Sequence, residues 1–402
     1  MSAETRREPV PPAMVLGLEL NGLGVVRSLA RAGIEVLAVD DDLRKPGMRT
    51  RYGRKLAVRA LHGRMLVEDL VQMGRLFPER PVLFITQEAT VATISRYRDE
   101  LSPWYRMTLA DADCLRMLMN KESFQRFAER HGFRVPRSLH IRDDGTMRAA
   151  CALRFPVILK PACRDAAYSR SFDKAYQVPD FDALRNLCRK IMPVLPDLIV
   201  QEWVEGSDSD IYFCLQYIGR DDGLVASFTG RKVRSWPPHT GGTASCIAAP
   251  EAEAELTAMT SRFFRAAGFV GMGSMEFKRD TATGKFFLIE PTVGRTDYQE
   301  EVATLNGVNI PVAAWRSEAG LGRLPAAAKL HPVVWRESVT DRWSAQLQHQ
   351  RQGRGVLDSG RKIDGWLRWH DPMPALDILR RRIRKAACRR IDRVRLAKGS
   401  AI

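Results

Sequence analysis

The first hundred residues alternate between short apolar runs and stretches whose apolar residues recur at helical spacing. The runs at 13–17, 35–40 and 81–86 are predicted strands, and the segments ending near residue 32 and covering 88–101 are predicted helices. Strand–helix–strand alternation is typical of a parallel sheet covered by helices. We therefore predict that the chain begins with a doubly wound, Rossmann-like α/β unit.

Apolar patterning predicts a second set of elements from residue 111 to about 320. A strong helical pattern is followed by a buried strand that ends in Lys160, then by a further helix and several longer strands. The predicted helices are 111–132 and 181–193, and the predicted strands are 155–161, 198–206, 211–218, 271–278 and 285–292. These elements predict a new sheet after the first unit.

Two carboxylates lie near the ends of two successive apolar strands. Glu276 belongs to the first strand and Glu290 to the second, with a Thr-Ala-Thr-Gly turn at 281–284 between them. A hairpin of this kind places the two acids side by side. Adjacent carboxylates repel unless a cation lies between them, and hard oxygen ligands suit Mg²⁺ that is shared with nucleotide phosphates. Taken alone, the hairpin leaves open a solvated edge with two unrelated acids.

Composition narrows the class of protein. The chain has 402 residues, enough for two or three domains, and its 45% hydrophobic and 27% charged residues are ordinary for a globular protein. No apolar run approaches the roughly 20 residues that span a bilayer, and no signal peptide is recognised. The seven cysteines are scattered without a C-x-x-C pair, which indicates a reducing cytosol and argues against structural zinc. We expect a cytoplasmic protein.

The C-terminal segment 375–398 carries much of the formal net charge of +16. Its apolar residues fall at helical spacing, so the segment is predicted to be a basic amphipathic helix. Such a helix could lie on the inner face of an anionic membrane or meet nucleic acid. The interpretation we prefer is a helix docked by its apolar stripe, with its arginines solvated. The stripe comprises Leu376, Leu379, Ile383, Ala387, Ile391 and Val394.

The turn at 17–24 is rich in glycine and is followed by Asp40 at the end of the next predicted strand. It is an imperfect G-x-G-x-x-G, which in a dinucleotide site cradles a pyrophosphate while the acid binds a ribose. A tight βα turn that only packs its helix is the preferred interpretation. A nicotinamide-dependent oxidoreductase stays an alternative on this motif.

The order of the chemical groups between about 13 and 320 resembles the ATP-grasp superfamily, and within it the carboxylate–amine ligases. The resemblance rests on a helix lysine, a strand-end lysine, a Glu-Trp-Val segment, a Lys-Val-Arg strand and the two carboxylate strands. These residues are Lys121, Lys160, Glu202, Trp203, Val204, Lys232, Arg234, Glu276, Glu290 and Thr292.

The resemblance implies a fold and a domain order. It implies a pre-ATP-grasp Rossmann-like parallel sheet followed by an ATP-grasp domain of two α+β subdomains. The implied pre-ATP-grasp domain is 1–110, the small lid subdomain is 111–200, the large subdomain is 201–325, and 326–402 is a C-terminal extension that carries the basic helix.

The resemblance also implies a role for each of these residues, and each role has a physical reason. Strand-end lysines reach phosphate oxygens, an extended segment offers backbone groups to an adenine edge, and paired cations meet a developing acyl phosphate. The implied nucleotide-binding residues are Lys121, Lys160, Glu202, Trp203, Val204 and Asp208, with Asp210 as a competitor for the ribose role. The implied catalytic residues are Lys232, Arg234 and Arg295, and the implied ligands of Mg²⁺ or Mn²⁺ are Glu276, Glu290 and Thr292.

Two features depart from the family pattern. The last metal motif usually reads Glu-x-Asn, whereas this chain has Thr292 at the third position, a hydroxyl in place of an amide carbonyl. The phosphate loop after Lys160 is usually rich in glycine, and here residues 161–170 contain none. Arg164 or Arg170 would supply by side chain what backbone amides supply elsewhere.

The activity that the resemblance implies is ATP-dependent amide formation through an acyl phosphate. The substrate carboxylate takes the γ-phosphoryl group of ATP, and an amine then displaces phosphate from the activated carbonyl. The expected partners are a small carboxylate and an amine, an anionic membrane surface through 375–398, and a second copy in a homodimer, with no specific nucleic acid. A non-catalytic ATP-grasp relative associated with a membrane or polymer stays an alternative.

Overall fold

A computed structural model describes residues 10–162, 171–173, 175–221, 223–322, 333–352 and 361–384. The chain divides into two compact units. The first unit combines 1–107 with 363–402, and the second is 108–362. The four-part domain division predicted from the sequence stays a prediction.

The first unit is built on a four-stranded parallel sheet in the order β3-β2-β1-β4. Its strands are β1 Ala13–Leu16, β2 Val36–Asp40, β3 Arg54–Ala57 and β4 Val82–Ile85, and its helices are α1 Leu20–Ala30, α2 Gly63–Gly74, α3 Glu88–Arg96 and α4 Arg98–Leu101. Every residue of β1, β2 and β4 is buried. The Rossmann-like parallel sheet predicted from the apolar runs is therefore confirmed.

The first unit also contains a segment from the far end of the chain. Arg27 of α1 is 2% exposed and donates from Nε to a carboxylate oxygen of Asp371, 2.9 Å away. Asp371 also accepts hydrogen bonds from the Thr50 hydroxyl at 2.7 Å and the Arg51 amide at 2.9 Å. A helix at 373–384 follows this anchor.

The second unit begins with a small antiparallel sheet in the order β5-β8-β6-β7. Its strands are β5 Ser138–Ile141, β6 Val157–Pro161, β7 Tyr176–Val178 and β8 Leu198–Glu202, and its helices are α5 Ala112–Met119, α6 Lys121–Arg130, α7 Asp144–Ala149 and α8 Phe181–Ile191. The apolar sides of β6, β8, α7 and α8 meet in one core that includes Val157, Leu159, Leu184, Cys188 and Val200.

The single helix predicted at 111–132 is wrong, because the structure has two helices there. Asn120 lies between α5 and α6 in an extended conformation, and its side chain accepts a hydrogen bond from the amide of Ser123 at 3.0 Å. Asparagine is a favoured N-cap, so this residue starts a new helix one position before Lys121.

The larger sheet of the second unit has seven strands in the order β13-β12-β9-β10-β11-β14-β15. The strands are β9 Ile211–Gly219, β10 Gly223–Trp236, β11 Gly242–Ala248, β12 Gly271–Arg279, β13 Phe286–Val293, β14 Val333–Arg336 and β15 Arg361–Asp364. The helices are α9 Glu253–Ala266, α10 Gln299–Leu305, α11 Ile310–Glu318 and α12 Ser338–Gln352. Short 3-10 helices occupy Pro46–Arg49, Ala150–Ala152, Asp208–Asp210 and Pro250–Ala252.

Within the described residues, no helix is both long enough and apolar enough to cross a membrane.

Candidate functional site

The two acids of the hairpin face each other in the large sheet. Strands β12 and β13 are antiparallel, and their register pairs Glu276 with Glu290 and Ser274 with Thr292. The register shifts between Glu276 and Phe277, so Ile289 is an extra residue on β13 beside the acid pair. Bulges of this kind bend a strand and re-aim the neighbouring side chains. The side-by-side placement expected from the sequence is confirmed, whereas the metal-binding role stays a prediction.

Lys232 joins this pair from a strand two positions away in the sheet. It is 3% exposed, and its Nζ lies 2.8 Å from a carboxylate oxygen of Glu276. Burial alone would lower the pKa of Lys232, but the negative charges of Glu276, Glu290 and Asp297 outweigh burial and raise it. Lys232 is therefore a permanently charged cation held against the acid pair.

The donor set fits a divalent ion that is shared with a nucleotide. In the described part of the chain, no three His, Cys, Asp or Glu side chains are grouped so as to hold a metal by themselves. Mg²⁺ bound to nucleotide phosphates usually takes only one or two carboxylates from the protein, with water and phosphate oxygens completing its shell. Glu276 and Glu290 supply that number, and the Thr292 hydroxyl lies on the same strand as Glu290.

Arg234 has a different partner from Lys232. Its Nη1 donates to Asp341 of α12 at 3.0 Å, and the Ser245 hydroxyl donates to the same carboxylate oxygen at 2.6 Å. The register of β10 against β11 shifts between Lys232 and Arg234, so Val233 is an extra residue there. Residues two apart on a regular strand share a face, and this bulge interrupts that alternation between Lys232 and Arg234. The structure gives the two residues separate ion pairs.

Asp208 anchors the loop that follows β10. It is 2% exposed, and its carboxylate oxygens accept hydrogen bonds from the amides of Ser235 at 2.9 Å and His239 at 2.8 Å. Gln348 of α12 donates to it as well, at 3.0 Å. A ribose hydroxyl would have to share the carboxylate with these three donors, and the ribose role stays a prediction. The competitor, Asp210, accepts hydrogen bonds from the amide and hydroxyl of Ser207, each at 2.8 Å.

The anchored loop is too tight for any side chain at Gly241. A Cβ added there would lie 1.9 Å from the carbonyl carbon of Trp236, which only glycine avoids. The Gly241 amide donates to the Pro237 carbonyl at 2.8 Å and closes the turn. The loop from 235 to 243 therefore has a fixed shape next to the end of β10.

Two lysines meet at the small sheet. Lys160, on β6, donates from Nζ to the Gln201 side chain of β8 at 3.0 Å. Lys121, at the start of α6, donates from Nζ to the Pro161 carbonyl at 3.3 Å. Both contacts lie at the end of β6, so the structure brings together the two lysines that the sequence placed 39 residues apart. Arg164 and Arg170, proposed for the phosphate loop, lie outside the described residues.

The segment from Glu202 to Val204 leaves the small sheet. Glu202 ends β8, accepts a hydrogen bond from the Arg154 amide at 3.0 Å, and is followed by non-repetitive backbone up to residue 207. The Trp203 amide donates to the Pro156 carbonyl at 3.1 Å. The Trp203 ring stands edge-on to His239, with ring centroids 6.5 Å apart. Val204 is 8% exposed, so this linker presents one aromatic and one buried aliphatic side chain.

Arg295 lies in the segment between β13 and α10. Its Nη1 donates to the carbonyl of the next residue, Thr296, at 3.0 Å, and the side chain is partly exposed. Asp297, two residues further on, contributes to the negative field at Lys232. The predicted phosphoryl contact of Arg295 remains untested.

Sequence reasoning missed a lysine beside the acid pair. Lys278 lies two residues after Glu276 on β12, is 8% exposed, and donates from Nζ to the Ser207 carbonyl at 2.5 Å. Burial lowers its pKa, against the raising effect of Asp210, Asp208 and Glu276. The signal was available in the Glu-Phe-Lys triplet, because residues two apart on a strand share a face.

A buried glutamate on α10 was also missed. Glu300 is 1% exposed, and one of its carboxylate oxygens has no hydrogen-bond partner among the described residues. Burial and the neighbouring Asp297 raise the pKa of Glu300 to about 8. Its neighbour Glu301 instead accepts a hydrogen bond from the Trp335 indole at 2.8 Å.

Beside the glycine-rich turn of the first unit, the Asp40 carboxylate is engaged by groups of the protein itself. That carboxylate is fully buried and accepts hydrogen bonds from the Leu18 amide at 2.6 Å and the Asp42 amide at 3.1 Å, with Lys45 at 2.8 Å. A Cβ at Gly22 would lie 1.9 Å from the Gly17 carbonyl oxygen, so α1 packs directly on the turn. These contacts favour the packing interpretation and argue against the nicotinamide alternative.

Comparisons with known proteins find similarity in sequence and in fold. No protein-family model matches the sequence. A D-aspartate ligase from Enterococcus faecium (strain Aus0004) is 22% identical over 330 residues, covering 77% of this chain and 76% of that protein.

Solved structures match the fold over most of its length. An ADP complex of N5-carboxyaminoimidazole ribonucleotide synthetase superposes with a TM-score of 0.65 at 12% identity, covering 89% of this chain and 92% of that one. N5-carboxyaminoimidazole synthase from Aspergillus clavatus, in complex with ADP and 5-aminoimidazole ribonucleotide, gives a TM-score of 0.60 at 14% identity, covering 81% of both chains. The chain therefore has the ATP-grasp fold expected from the sequence, and it is similar in sequence to the D-aspartate ligase.

Proposed function

We propose that the protein is an ATP-dependent carboxylate–amine ligase that binds Mg-ATP between its small sheet and its large sheet. The observation that carries the proposal is the pairing of Glu276 with Glu290, with the buried cation of Lys232 against it. An accessible acid pair beside a buried, charged lysine is suited to a polyanion that arrives with its own divalent ion. The D-aspartate ligase relative supports the reaction class.

The reaction follows from charge neutralisation and positioning. The substrate carboxylate attacks the γ-phosphorus of ATP, forming an acyl phosphate and releasing ADP. An amine then attacks the acyl carbon, the C–N bond forms, phosphate leaves, and the ammonium proton is lost to a base or to water. Such phosphoryl transfers depend on placement and on cations rather than on a protein nucleophile.

Three of the site's lysines have a defined part in this scheme. Lys160 and Lys121, at the end of β6, would meet the phosphates from the small sheet, and Lys232 would meet the transferring group from the large sheet. Glu276, Glu290 and Thr292 would hold the divalent ion, which supplies charge neutralisation at the phosphates. Trp203 and Val204, in the linker, would cover the adenine face.

The substrates are proposed by class. The acid is a small carboxylate and the acceptor an amine, and D-aspartate is the first compound to test because of the relative's name. A cytoplasmic location and a homodimer are further proposals, as is contact with a membrane through the basic C-terminal segment.

The test is ADP release with Mg-ATP and a panel of D- and L-amino acids, each offered with and without candidate amines. We expect substrate-dependent ADP release that chelation of divalent ions abolishes. Glu290→Gln should reduce turnover by at least about a hundredfold, because a transition-state charge contact is typically worth that much. Glu255→Gln, at an exposed position of α9, is the matched control and should leave turnover unchanged.

The results separate the rival functions. Full turnover in Glu290→Gln would refute the proposed site. Calorimetric binding of Mg-ATP without ADP release, whichever acid and amine are offered, would favour the non-catalytic ATP-grasp relative. A protein that shows no Mg-dependent nucleotide binding and no ADP release would refute both functions.

A further inference from the structure

The C-terminal segment of the first unit exposes apolar side chains that a folded domain normally covers. Trp369 is 95% exposed and Leu367 is 49% exposed, whereas the arginine between them, Arg368, is 7% exposed. This order is the reverse of the usual one, in which the charge faces water and the aromatic ring is buried. The backbone here is fixed by the buried Arg27–Asp371 ion pair, so the exposure belongs to an anchored segment.

The helix at 373–384 continues the same pattern. Its predicted apolar stripe does not dock in the described part of the chain, because Leu379 is 53% exposed and Ile383 is 59% exposed. The preferred sequence interpretation of a docked stripe is therefore wrong there. Pro374 is buried and Ile378 is half-buried, on the opposite side of the helix from Leu376 and Ile383. The helix thus packs by one side and turns its longer apolar stripe outward.

Polar contacts hold the helix in this orientation. Asp377 accepts a hydrogen bond from Arg381 at 2.5 Å and lies 4.0 Å from Arg49, and Arg381 also donates to the Arg44 carbonyl. These groups occupy the side of the helix nearer Ile378. The outward stripe is therefore a fixed surface of the first unit.

The charge around the stripe has one sign. Within 373–384 four arginines accompany the single acid, and Arg380 and Arg384 fall along the border of the stripe by helical spacing. The sequence after 384 adds six Lys or Arg against one acid. Arginine stems beside an apolar stripe can reach upward to phosphate groups while the stripe enters an apolar layer.

We infer that residues 367–384 form a docking surface for an anionic lipid bilayer, with Trp369, Leu379 and Ile383 entering the headgroup boundary. An interfacial helix needs an apolar face, basic residues beside it and an aromatic residue at the boundary, and all three are present. Duplex nucleic acid would use the arginines but leave the apolar stripe in water. A second copy of the chain would bring the arginines of both stripes against each other.

The test is sedimentation of the full-length protein with vesicles. We expect binding to vesicles of phosphatidylcholine with roughly a third phosphatidylserine, loss of binding at high salt, and little binding to phosphatidylcholine alone. Leu379→Asp/Ile383→Asp should weaken binding at least tenfold. Met65→Asp/Leu76→Asp, which alters two exposed apolar residues elsewhere in the first unit, should leave it unchanged.

A second pair of variants tests the charges. Each basic residue near an anionic surface strengthens binding about fivefold, so Arg380→Glu/Arg384→Glu should weaken it more than tenfold. Arg189→Glu/Lys190→Glu, a matched reversal on the exposed face of α8, should not. ADP release from soluble substrates should be the same in all four variants, so the outcome is independent of the ligase proposal.

Three results would overturn the inference. The first is no binding to anionic vesicles by the wild type. The second is binding that Leu379→Asp/Ile383→Asp leaves unchanged. The third is binding of duplex DNA in a fluorescence assay without vesicle binding, which would assign the arginines to nucleic acid.

Discussion

At the scale of single residues, the site combines two buried lysines with a partly exposed Glu276 and an exposed Glu290. Lys232 is nearly inaccessible, yet it stays charged because Glu276, Glu290 and Asp297 surround it. Lys278, two residues from Glu276, shows the opposite shift, because burial lowers its pKa. A bound nucleotide with its divalent ion would change the electrostatic field at both lysines. The pKa directions given for Lys232 and Lys278 are therefore those of the free protein.

Glu300 predicts how stability depends on pH. Its ordinary pKa is near 4.3, and in the folded protein the pKa is about 8. Between these values the unfolded chain loses the proton while the folded chain keeps it, so the contribution of Glu300 to stability is complete below about pH 4 and is lost as the pH rises towards 8. The expected loss from this one group is on the order of a few kcal/mol.

Glu300→Gln should remove the pH-dependent contribution of Glu300 to the free energy of unfolding. We expect the free energy of unfolding, measured in urea at several pH values between 5 and 8, to fall less steeply with pH in the variant. The matched control Glu255→Gln should keep the wild-type slope. Equal slopes in wild type and Glu300→Gln would show that Glu300 is ionised in the folded protein.

At the scale of elements, the long apolar strands and the acid hairpin were predictable, whereas several short strands and the interruptions of the strands were not. The apolar runs indicated β1, β2 and β4, but β3 escaped because Arg54 and Lys55 open a partly exposed strand without an apolar run. The bulge at Val233 cannot be foreseen from alternation alone, and it separates the partners of Lys232 and Arg234. Asp341 was missed because it reaches Arg234 from a helix 107 residues further along the chain.

The prediction at the scale of elements concerns Asp208, because its carboxylate connects a 3-10 helix to the loop after β10. Asp208→Asn keeps the size but leaves only one acceptor oxygen for the two amides, so one buried N–H loses its partner. We expect the free energy of unfolding to fall by about 1–3 kcal/mol, the usual penalty for such a group. Asp182→Asn, at an exposed position of α8, should change it by less than about 0.5 kcal/mol.

The same variant discriminates between anchoring and ribose binding. Calorimetry should show weakened Mg-ATP binding with an unchanged unfolding free energy if Asp208 contacts the ribose alone. A loss of stability identifies it as the anchor of the loop.

At the scale of the whole molecule, the first unit depends on both ends of the chain. Arg27 and Asp371 are both buried, with side-chain exposures of 3% and 0%. Removing one partner of a buried ion pair costs about 3–5 kcal/mol, because the remaining charge has no counterion. Arg27→Met should therefore destabilise the first unit by that amount and expose the segment after residue 362 to limited proteolysis.

An exposed ion pair of the same unit provides the control. Arg64 contacts Glu100 at 2.6 Å with both side chains largely solvated, so Arg64→Met should cost less than about 1 kcal/mol. A proteolysis pattern of Arg27→Met identical to that of Arg64→Met would mean that the buried pair does not hold the segment.

The pairing of Arg27 with Asp371 also affects the order in which the two units can fold during synthesis. The two residues are separated by 344 positions, and the entire second unit is made between them. At about 5–20 residues per second, α1 waits on the order of 20–70 s on the ribosome before its buried partner emerges. Until then Arg27 lacks Asp371 as its counterion, and the second unit can complete its own sheets before the first unit is complete.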